Sequence, residues 1–275
     1  MIDSLELQNL QEKANNIRKS IVEVVYNAAS GHPGGSLSIA DVLSVLYFKE
    51  LNVDVNNPQD PNRDRLVLSK GHCAPALYSA LAEKGFIPKE DLKTVRKLDS
   101  YLQGHPDMKH TNGVDMTSGS LGQGLSVANG MALAGKLDNK DYRVYCICGD
   151  GEIQEGQIWE AAMSTSHYKL DNVCVIVDNN NLQIDGSVDN VMNPYPIDKK
   201  FESFGFNVIV IDGHNIEEII NAFESAKQTK GKPTAIIATT TKGKGVSYME
   251  NQAGWHGKAP KEEEYKIAME ELGNN

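Results

Sequence analysis

The sequence is poor in net positive charge, in cysteine and in long apolar runs. Its formal net charge is −10, which argues against a general nucleic-acid binder, because such proteins present a basic face to the phosphates. The same charge argues against binding to anionic membranes. No apolar run approaches the length of a membrane span, and the start, MIDSLELQNL, lacks the basic and apolar regions of a secretion signal. We therefore expect a cytoplasmic protein that binds neither nucleic acid nor membranes.

The few cysteines give no disulfide framework. Three of the four, Cys146, Cys148 and Cys174, lie in strand-like apolar runs, where a small buried thiol is the ordinary interpretation. Cys146 and Cys148 are two residues apart and point to the same side of a strand. A metal site there would need further soft ligands, and the sequence offers none nearby. We expect all four, Cys73 included, to be structural.

Two familiar phosphate motifs are missing as well. There is no P-loop, and GSLGQG has its glycines in the wrong order for a dinucleotide fingerprint. Internal repeats, linkers and low-complexity segments are also missing. With 275 residues, 40% hydrophobic and 23% charged, the composition is ordinary for a globular protein. We expect one domain over residues 1–275.

Helical and strand-like segments alternate, most regularly after residue 120. Apolar spacing predicts helices at about 4–29, 37–49, 74–84, 89–96, 121–137, 153–168, 198–204 and 216–227. Strands are predicted in RLVLSKGHCAP and at about 142–148, 173–177, 206–211 and 234–239. This order predicts an α/β fold, a parallel sheet with helices on both faces. The long glycine-containing stretch 101–124 has no clear periodicity, which is typical of a functional loop.

The segment GDGEIQEGQIWEAA, which begins at Gly149, places Asp150 between two glycines where a strand ends. Ligands of open parallel sheets bind beyond the carboxyl ends of the strands. The next strand ends in Asp178, Asn179, Asn180 and Asn181. The two strand ends are roughly 30 residues apart, the size of one strand–helix–strand unit, and such strands are often neighbours. We therefore expect Asp150 and Asn180 to lie close together.

A carboxylate at this position would repel a phosphate unless a cation lay between them. Asp150 and Asn180 offer hard oxygen ligands, which suit magnesium or calcium and not zinc. The backbone carbonyl of Leu182 is a plausible third protein ligand, and waters and phosphates would complete the shell. The amides at the start of the helix after Gly151 would face the phosphates. Taken alone, GDG and DNNN each also fit an ordinary turn. Their spacing, which matches one strand–helix–strand unit, favours a shared metal and phosphate site.

Both the motif and its surroundings resemble a known family. GDG followed about thirty residues later by NN resembles the thiamine diphosphate motif. Five segments between residues 30 and 260 are similar to transketolase and follow that family's order: SGHPGGSLSIADVLSVLYF, RDRLVLSKGHCAPALYSAL, GSLGQGLSVANGMALA, GDGEIQEGQIWEAAMSTSHYKLDN and TKGKGVSYMENQAGWHGKAP.

The resemblance implies a thiamine diphosphate-binding fold of the pyrophosphate type and a specific chemistry. The implied cofactors are thiamine diphosphate and Mg2+, with Ca2+ as the alternative ion. The implied reaction moves a two-carbon ketol unit from a ketose phosphate to an aldose phosphate, as in the pentose phosphate pathway.

The sequence stops shortly after WHGKAP, whereas transketolase continues with a pyrimidine-binding domain and a C-terminal domain. The chain thus resembles the N-terminal subunit of a split transketolase. This implies a C-terminal partner subunit, two copies of each subunit in a heterotetramer, and little or no activity of the isolated chain.

The resemblance also implies roles for individual residues. The implied metal ligands are Asp150, Asn180 and the carbonyl of Leu182. Gly151, His72 and Lys242 match groups around the diphosphate, and Gly119 and Leu121 match the segment against the aminopyrimidine. His32, His105 and His256 match histidines of the substrate channel; His32 and His256 are expected to move protons, and His256 also to contact the cofactor. Glu155 and Glu160 match glutamates at the dimer interface, whereas His110, His167 and His214 match nothing and are expected to be structural.

Other interpretations stay open on the residues alone. A histidine before proline, as at His32 and His105, is often only part of a surface turn, and Lys242 could be a solvated loop charge. A specialised split transketolase for sulfosugars or branched ketoses would share the chemistry. A 2-oxoacid dehydrogenase thiamine-binding subunit fits the histidine set less well. A solitary, non-catalytic cofactor-binding module is a third alternative, and the intact Asp150 and Asn180 argue against it.

Overall fold

The computed structural model describes residues 3–273, and its centre is a five-stranded sheet in which all paired strands run parallel. The strand order is β1-β2-β3-β7-β6. These strands are β1 Arg65–Leu68, β2 Val144–Gly149, β3 Val173–Asn179, β6 Asn207–Asp212 and β7 Thr234–Thr239, and a small antiparallel pair is formed by β4 Leu182–Gln183 and β5 Gly186–Ser187. The predicted α/β fold with a parallel sheet is confirmed.

Helices cover both faces of this sheet. The α-helices within residues 3–273 are α1 Ser4–Ala28, α2 Pro33–Leu37, α3 Ala40–Val45, α4 Ala74–Lys84, α5 Gly124–Leu137, α6 Gly156–His167, α7 Val188–Val191, α8 Ile197–Ser203, α9 Ile216–Gln228 and α10 Glu262–Gly273. Short 3-10 segments occur at Gly71–Cys73, Lys89–Thr94, Glu152–Gln154 and Ala253–Trp255, and a π-helical turn at Leu46–Glu50. None of the helices described is long and apolar enough to cross a membrane.

The two faces of β2 show how the sheet separates two apolar cores. Successive side chains of a strand point to opposite faces. Tyr145 and Ile147 pack into a cluster with α1, α3, α4 and α9. Cys146 and Cys148 face the other cluster, which contains residues of α5, α6 and α8. Because both faces are covered, the strand is apolar throughout, as expected for a parallel sheet.

The cysteines are free and buried, as expected. The sulfur atoms of Cys146 and Cys148 lie 3.8 Å apart on the same side of β2. Among the described residues, no group of three or more His, Cys, Asp or Glu is placed to hold a metal ion. Cys146, Cys148 and Cys174 therefore pack as part of their strands, and Cys73 packs in the 3-10 segment that precedes α4.

Several predicted boundaries were wrong in detail. The predicted helix 153–168 is a 3-10 turn followed by α6, with a break at Glu155, whose backbone is extended (ψ 129°). The turn-like SGHPGGS segment contains α2, which begins at Pro33, because proline is well tolerated in a first helical turn. The predicted helix 37–49 is divided into α2, α3 and the π turn. Sequence spacing also missed α10, whose buried residues are few.

Candidate functional site

The candidate site lies beyond the carboxyl ends of β2, β3 and β7. Gly149 is paired in register with Asp178, and Asn179 with Thr239. The loops that follow these three strands therefore start side by side at one edge of the sheet. The predicted adjacency of β2 and β3 is confirmed, and it brings Asp150 next to the turn that contains Asn180.

Asp150 is a buried carboxylate, 2% exposed, held by backbone amides. Its Oδ1 accepts a hydrogen bond from Gly151 N at 2.8 Å, and its Oδ2 accepts one from Asn181 N at 2.5 Å. Burial, with the nearby charge of Asp178, raises the pKa of Asp150 to about 7. A buried carboxylate is stabilised by a charge partner, and no described residue forms a salt bridge with this one. The arrangement favours a bound cation.

Asn180 and Leu182 supply two further oxygens near Asp150. Asn180 Nδ2 donates to Asp178 Oδ2 at 2.9 Å, so its Oδ1 is held on the opposite side of the amide, where it accepts from Leu182 N at 3.1 Å. The carbonyl of Leu182 accepts a hydrogen bond from Lys242 Nζ at 2.9 Å. A carboxylate, an amide oxygen and a carbonyl are hard ligands, and these oxygen types suit magnesium or calcium.

Lys242 is a buried cation between the metal-site loop and a histidine. Its Nζ lies 2.9 Å from the carbonyl oxygen of Leu182 and 2.8 Å from Nδ1 of His256. Burial lowers the pKa of Lys242, and the charge of Lys70 lowers it further, while Asp150 and Asp178 act in the opposite direction. The structure therefore places this positive charge next to the candidate metal ligands, where it would attract the negative charge of a diphosphate.

Three of the predicted histidines form one cluster. The rings of His32 and His72 have centroids 5.1 Å apart, those of His32 and His256 5.5 Å, and those of His72 and His256 5.2 Å. Burial is the main cause that lowers their pKa values, to about 4 for His32 and His72 and to about 3 for His256, and the positive charges around them add to it. At neutral pH all three rings are uncharged, so each can donate one hydrogen bond and accept another.

The fourth predicted histidine, His105, lies at the edge of this cluster. Its ring is 3.5 Å from the position that a Cβ on Gly119 would occupy. Burial lowers its pKa, and the charges of Arg96 and His72 contribute. Leu121, two residues after Gly119, is 37% exposed. The structure thus brings the predicted aminopyrimidine segment beside the predicted substrate histidines.

His32 has a buried Nδ1 without a hydrogen-bond partner in the described part of the chain. Ser118 Oγ is orphaned in the same way, and it lies 2.6 Å from the position of a Cβ on Gly71. Only glycine at residue 71 allows this close approach. Buried polar atoms normally have partners, so these two atoms are candidates for contact with polar groups of a ligand.

Asp178, which the sequence places at a strand end, is the centre of a hydrogen-bond cluster that sequence patterns do not predict. Its carboxylate accepts hydrogen bonds from Lys70 Nζ at 2.5 Å, Ser38 Oγ at 2.7 Å, Asn180 and Thr240. Burial alone would raise its pKa, but the charge of Lys70 and these hydrogen bonds outweigh burial and lower it. The partners are up to 140 residues away in sequence, so no local pattern could reveal them.

Glu152 is the second residue that sequence reasoning missed. This buried carboxylate accepts hydrogen bonds from Ser69 Oγ, from Gly122 N at 3.0 Å and from Gly149 N at 2.9 Å. It therefore joins the end of β1, Gly122 of the segment predicted to contact the aminopyrimidine, and the end of β2. Burial raises its pKa. Its position in the GDGE motif was the only local signal.

The outer faces of α5 and α6 carry exposed apolar side chains. Val127 of α5 is 37% exposed and Met163 of α6 is 61% exposed. Glu155 and Glu160, the predicted interface glutamates, are exposed at α6 as well. These two helices therefore present both apolar and acidic side chains to their surroundings.

A parallel sheet with a cluster of polar and charged side chains at its carboxyl edge is typical of α/β proteins that bind ligands there. Residues 10–275 match the model of the transketolase, thiamine diphosphate binding domain family. The chain belongs to this family. The family predicted from the sequence is thereby confirmed.

Relatives of similar length align with most of this chain. It is 48% identical over 264 residues to the 6-deoxy-6-sulfo-D-fructose transketolase subunit SqwG of Clostridium sp. (strain MSTE9), covering 96% of both chains. It is 44% identical over 268 residues to an apulose-4-phosphate transketolase subunit of Phocaeicola vulgatus, covering 98% of this chain and 95% of that one. Proteins described as single transketolase subunits therefore match this chain almost end to end.

Longer relatives match with one part only. The crystal structure of transketolase from Campylobacter jejuni superposes with a TM-score of 0.91 at 42% identity, covering 97% of this chain and 43% of that one. Human transketolase is 45% identical over 260 residues, which are 41% of its length. The chain thus spans less than half the length of these transketolases.

Proposed function

We propose that this chain is the cofactor-binding subunit of a split transketolase, which moves a two-carbon ketol unit from a ketose phosphate to an aldose phosphate. We propose that residues 1–275 form one domain and that the enzyme works in the cytoplasm, in the pentose phosphate pathway. The observation that carries the proposal is the convergence of the Asp150 turn, the Asn180 turn and three uncharged histidines at one sheet edge.

The metal would be held by Asp150, Asn180 and the carbonyl of Leu182, with Mg2+ as the proposed ion. Three protein oxygens leave room for phosphate oxygens and water in an octahedral shell. Burial raises the pKa of Asp150 to about 7, so a cation bound beside it would stabilise the ionised form of the carboxylate. Asp178 orients the Asn180 amide, so that its oxygen and not its nitrogen is available.

Thiamine diphosphate supplies the electron sink that allows a carbon–carbon bond next to a carbonyl to break. Around its diphosphate we place Gly151, His72 and Lys242. Lys242 brings the positive charge. Gly151 leaves room, since a Cβ there would lie 3.1 Å from Gln183 Cβ. Gly119 and Leu121 would lie against the aminopyrimidine ring.

His32, His105 and His256 would handle the protons of the sugar hydroxyls. Because the Lys242 ammonium can only donate, Nδ1 of His256 is the acceptor in their hydrogen bond, and the ring hydrogen is on Nε2. His256 therefore carries its N–H at Nε2, on the ring atom that does not contact Lys242. His32 presents a ring that is buried and uncharged, with an unpartnered Nδ1. Histidine is the side chain used most often for general acid–base catalysis, and both rings are in the unprotonated form at neutral pH.

A partner subunit would complete the site and bring the pyrimidine-binding half. The similar proteins of matching length are named as subunits of transketolases, which supports a two-component enzyme. We place the contact on the exposed faces of α5 and α6, around Val127, Met163 and Glu160, and propose two copies of each chain in the assembly.

A specialised substrate is the second candidate function. The relatives of full matching length are named for 6-deoxy-6-sulfo-D-fructose and for apulose 4-phosphate, so a sulfosugar or branched ketose donor is the alternative to an ordinary ketose phosphate. The shared histidine pocket serves either substrate class, since both offer a ketol unit to transfer.

The deciding experiment is co-expression with the product of the adjacent open reading frame, followed by a donor panel. We expect the assembled enzyme, with thiamine diphosphate and Mg2+, to transfer two carbons from a ketose phosphate to an aldose phosphate. A preference for 6-deoxy-6-sulfo-D-fructose or apulose 4-phosphate would establish the second candidate. Binding of thiamine diphosphate without turnover of any donor would contradict both. The Asp150→Asn variant serves as the matched control.

A further inference from the structure

His214 connects the end of β6 to the loop that carries Lys242. The backbone N–H of Thr241 donates to Nε2 of His214 at 2.8 Å, and Nδ1 of His214 lies 2.7 Å from Oδ2 of Asp41. A backbone N–H can only donate, so Nε2 carries no hydrogen. The ring hydrogen of the neutral imidazole is then on Nδ1 and is donated to Asp41.

The other side of this connection is fixed by a buried ion pair. Asp41 of α3 pairs with Arg18 of α1, and both residues are less than 10% exposed. Burial alone would raise the pKa of Asp41, but the charge of Arg18 and the hydrogen bonds from His214 and Arg18 outweigh it and lower the pKa. The carboxylate that orients His214 is therefore ionised and held between two helices.

Gly213 allows the two loops to approach each other. A Cβ at this glycine would lie 2.5 Å from Cγ2 of Thr240 and 3.1 Å from the carbonyl oxygen of Thr239. The N–H of Gly213 donates to that carbonyl at 2.8 Å. Gly213 thus lets the chain pass close to Thr239 and Thr240, and His214, the next residue, can then reach the N–H of Thr241.

The loop is held on both sides of the residue that His214 contacts. Thr240, before Thr241, donates its hydroxyl hydrogen to Asp178. Lys242, after Thr241, reaches the carbonyl of Leu182 and His256. His214 therefore accepts a hydrogen bond from Thr241, the residue between Thr240, which contacts Asp178, and Lys242, which contacts the carbonyl of Leu182.

We infer that His214 is a positioning residue, which sets the backbone of Thr241 and thereby the place of the Lys242 ammonium. The sequence predicts a structural role for His214, and we infer that this role includes holding a residue of the candidate site in place. The inference rests on the proposed function only where it predicts an effect on cofactor binding. The orientation and tautomer of the ring are predicted independently of any ligand.

Two substitutions separate the two hydrogen bonds of His214. In His214→Asn, the side-chain amide can replace Nδ1–H towards Asp41 but is too short to reach Thr241. In His214→Gln, the amide oxygen can accept from Thr241 N–H while the contact to Asp41 is weakened. We expect His214→Asn to weaken Mg2+–thiamine diphosphate binding to the chain assembled with its partner by about 3- to 10-fold, the range of one net hydrogen bond, and His214→Gln to weaken it less.

Calorimetric titration of thiamine diphosphate in the presence of Mg2+ measures this effect. His167→Gln, at an exposed histidine of α6, is the matched control and should leave the affinity unchanged. Hydrogen exchange of peptides that cover residues 240–245 should be faster in His214→Asn than in the wild-type chain and in the control. Equal affinity and equal exchange in all three proteins would overturn the inference.

Nitrogen-15 NMR of histidine-labelled chain gives a readout that does not need a ligand. The resonances that disappear in His214→Gln identify His214, and we expect hydrogen on Nδ1 and none on Nε2. Hydrogen on Nε2 would overturn the inference. If the wild-type chain showed the expected tautomer and exchange but bound no cofactor, even with its partner, the proposed function would fail while the positioning of Thr241 by His214 would stand.

Discussion

The ammonium group of Lys242 lies 2.8 Å from Nδ1 of His256. This pair joins the candidate diphosphate site to the candidate proton-transfer site. After burial, the charge of Lys242 is the next cause of the lowered pKa of His256. The charge of Lys242 would therefore attract an anion that binds beside it, and the same charge disfavours protonation of His256.

Lys242→Met is expected to raise the pKa of His256 from about 3 towards the ordinary histidine value. The positive charge that opposes protonation is removed, while the apolar part of the side chain is kept. A histidine NMR titration of the full chain measures the shift. Lys244→Met is the control, because this lysine lies two residues away and is paired with Glu250 instead. No difference between the two variants would contradict the pairing.

His256→Ala is expected to slow turnover of the assembled enzyme by roughly 100- to 10,000-fold, the usual contribution of one acid–base group. Steady-state kinetics with a ketose donor, in the presence of the partner, measure it. His110→Ala, at an exposed histidine outside the cluster, is the matched control. Undiminished turnover of the His256 variant would remove this residue from the mechanism.

Asp150→Ala is expected to abolish Mg2+-dependent binding of thiamine diphosphate. The substitution removes the only carboxylate among the three proposed metal ligands, and the remaining oxygens carry no formal charge. Calorimetry on the assembled enzyme, with and without Mg2+, measures the loss. Asp189→Ala changes a carboxylate of α7 that is exposed and should bind as the wild type does. Unchanged affinity of Asp150→Ala would mean that the metal assignment is wrong.

The histidine cluster predicts a stability loss on mild acidification. The folded-state pKa of His72 is about 4, below the ordinary histidine value of 6.5, so the unfolded chain binds more protons between these values. Stability is then full above pH 6.5 and falls as the pH drops towards 4. His72→Gln should make this dependence less steep in urea unfolding at several pH values. His167→Gln should follow the wild-type slope; equal slopes for all three proteins would contradict the prediction.

Met163→Glu is expected to weaken assembly with the partner subunit, because it places a charge on the apolar face of α6 that we assign to the contact. Val210→Glu is the matched control, since Val210 is 60% exposed and Met163 61%, but Val210 lies on β6, an edge strand of the sheet. Size-exclusion chromatography of the mixed subunits measures assembly. Loss of assembly in the Val210 variant alone would place the contact elsewhere.

The sheet, its strands and the convergence of Asp150 with the Asn180 turn could be predicted, because apolar periodicity and strand ends are local signals. The break at Glu155 and the helix at Pro33 could not, since they depend on how the backbone turns around the site. The roles of Asp178, Glu152 and His214 also escaped prediction. Their partners come from distant parts of the chain, and each residue alone looks like an ordinary polar group of a turn.

The place of β7 in the sheet bears on how the protein is made. β7 comes last among the strands of the sheet, yet it lies between β3 and β6. Roughly 60 residues follow β3 before β7 is complete, which takes the ribosome about 3–12 s at ordinary elongation rates. During that time one side of β3 is an unpaired edge, which can join to other chains. The newly synthesised chain therefore carries an aggregation-prone edge at β3 until β7 pairs with it.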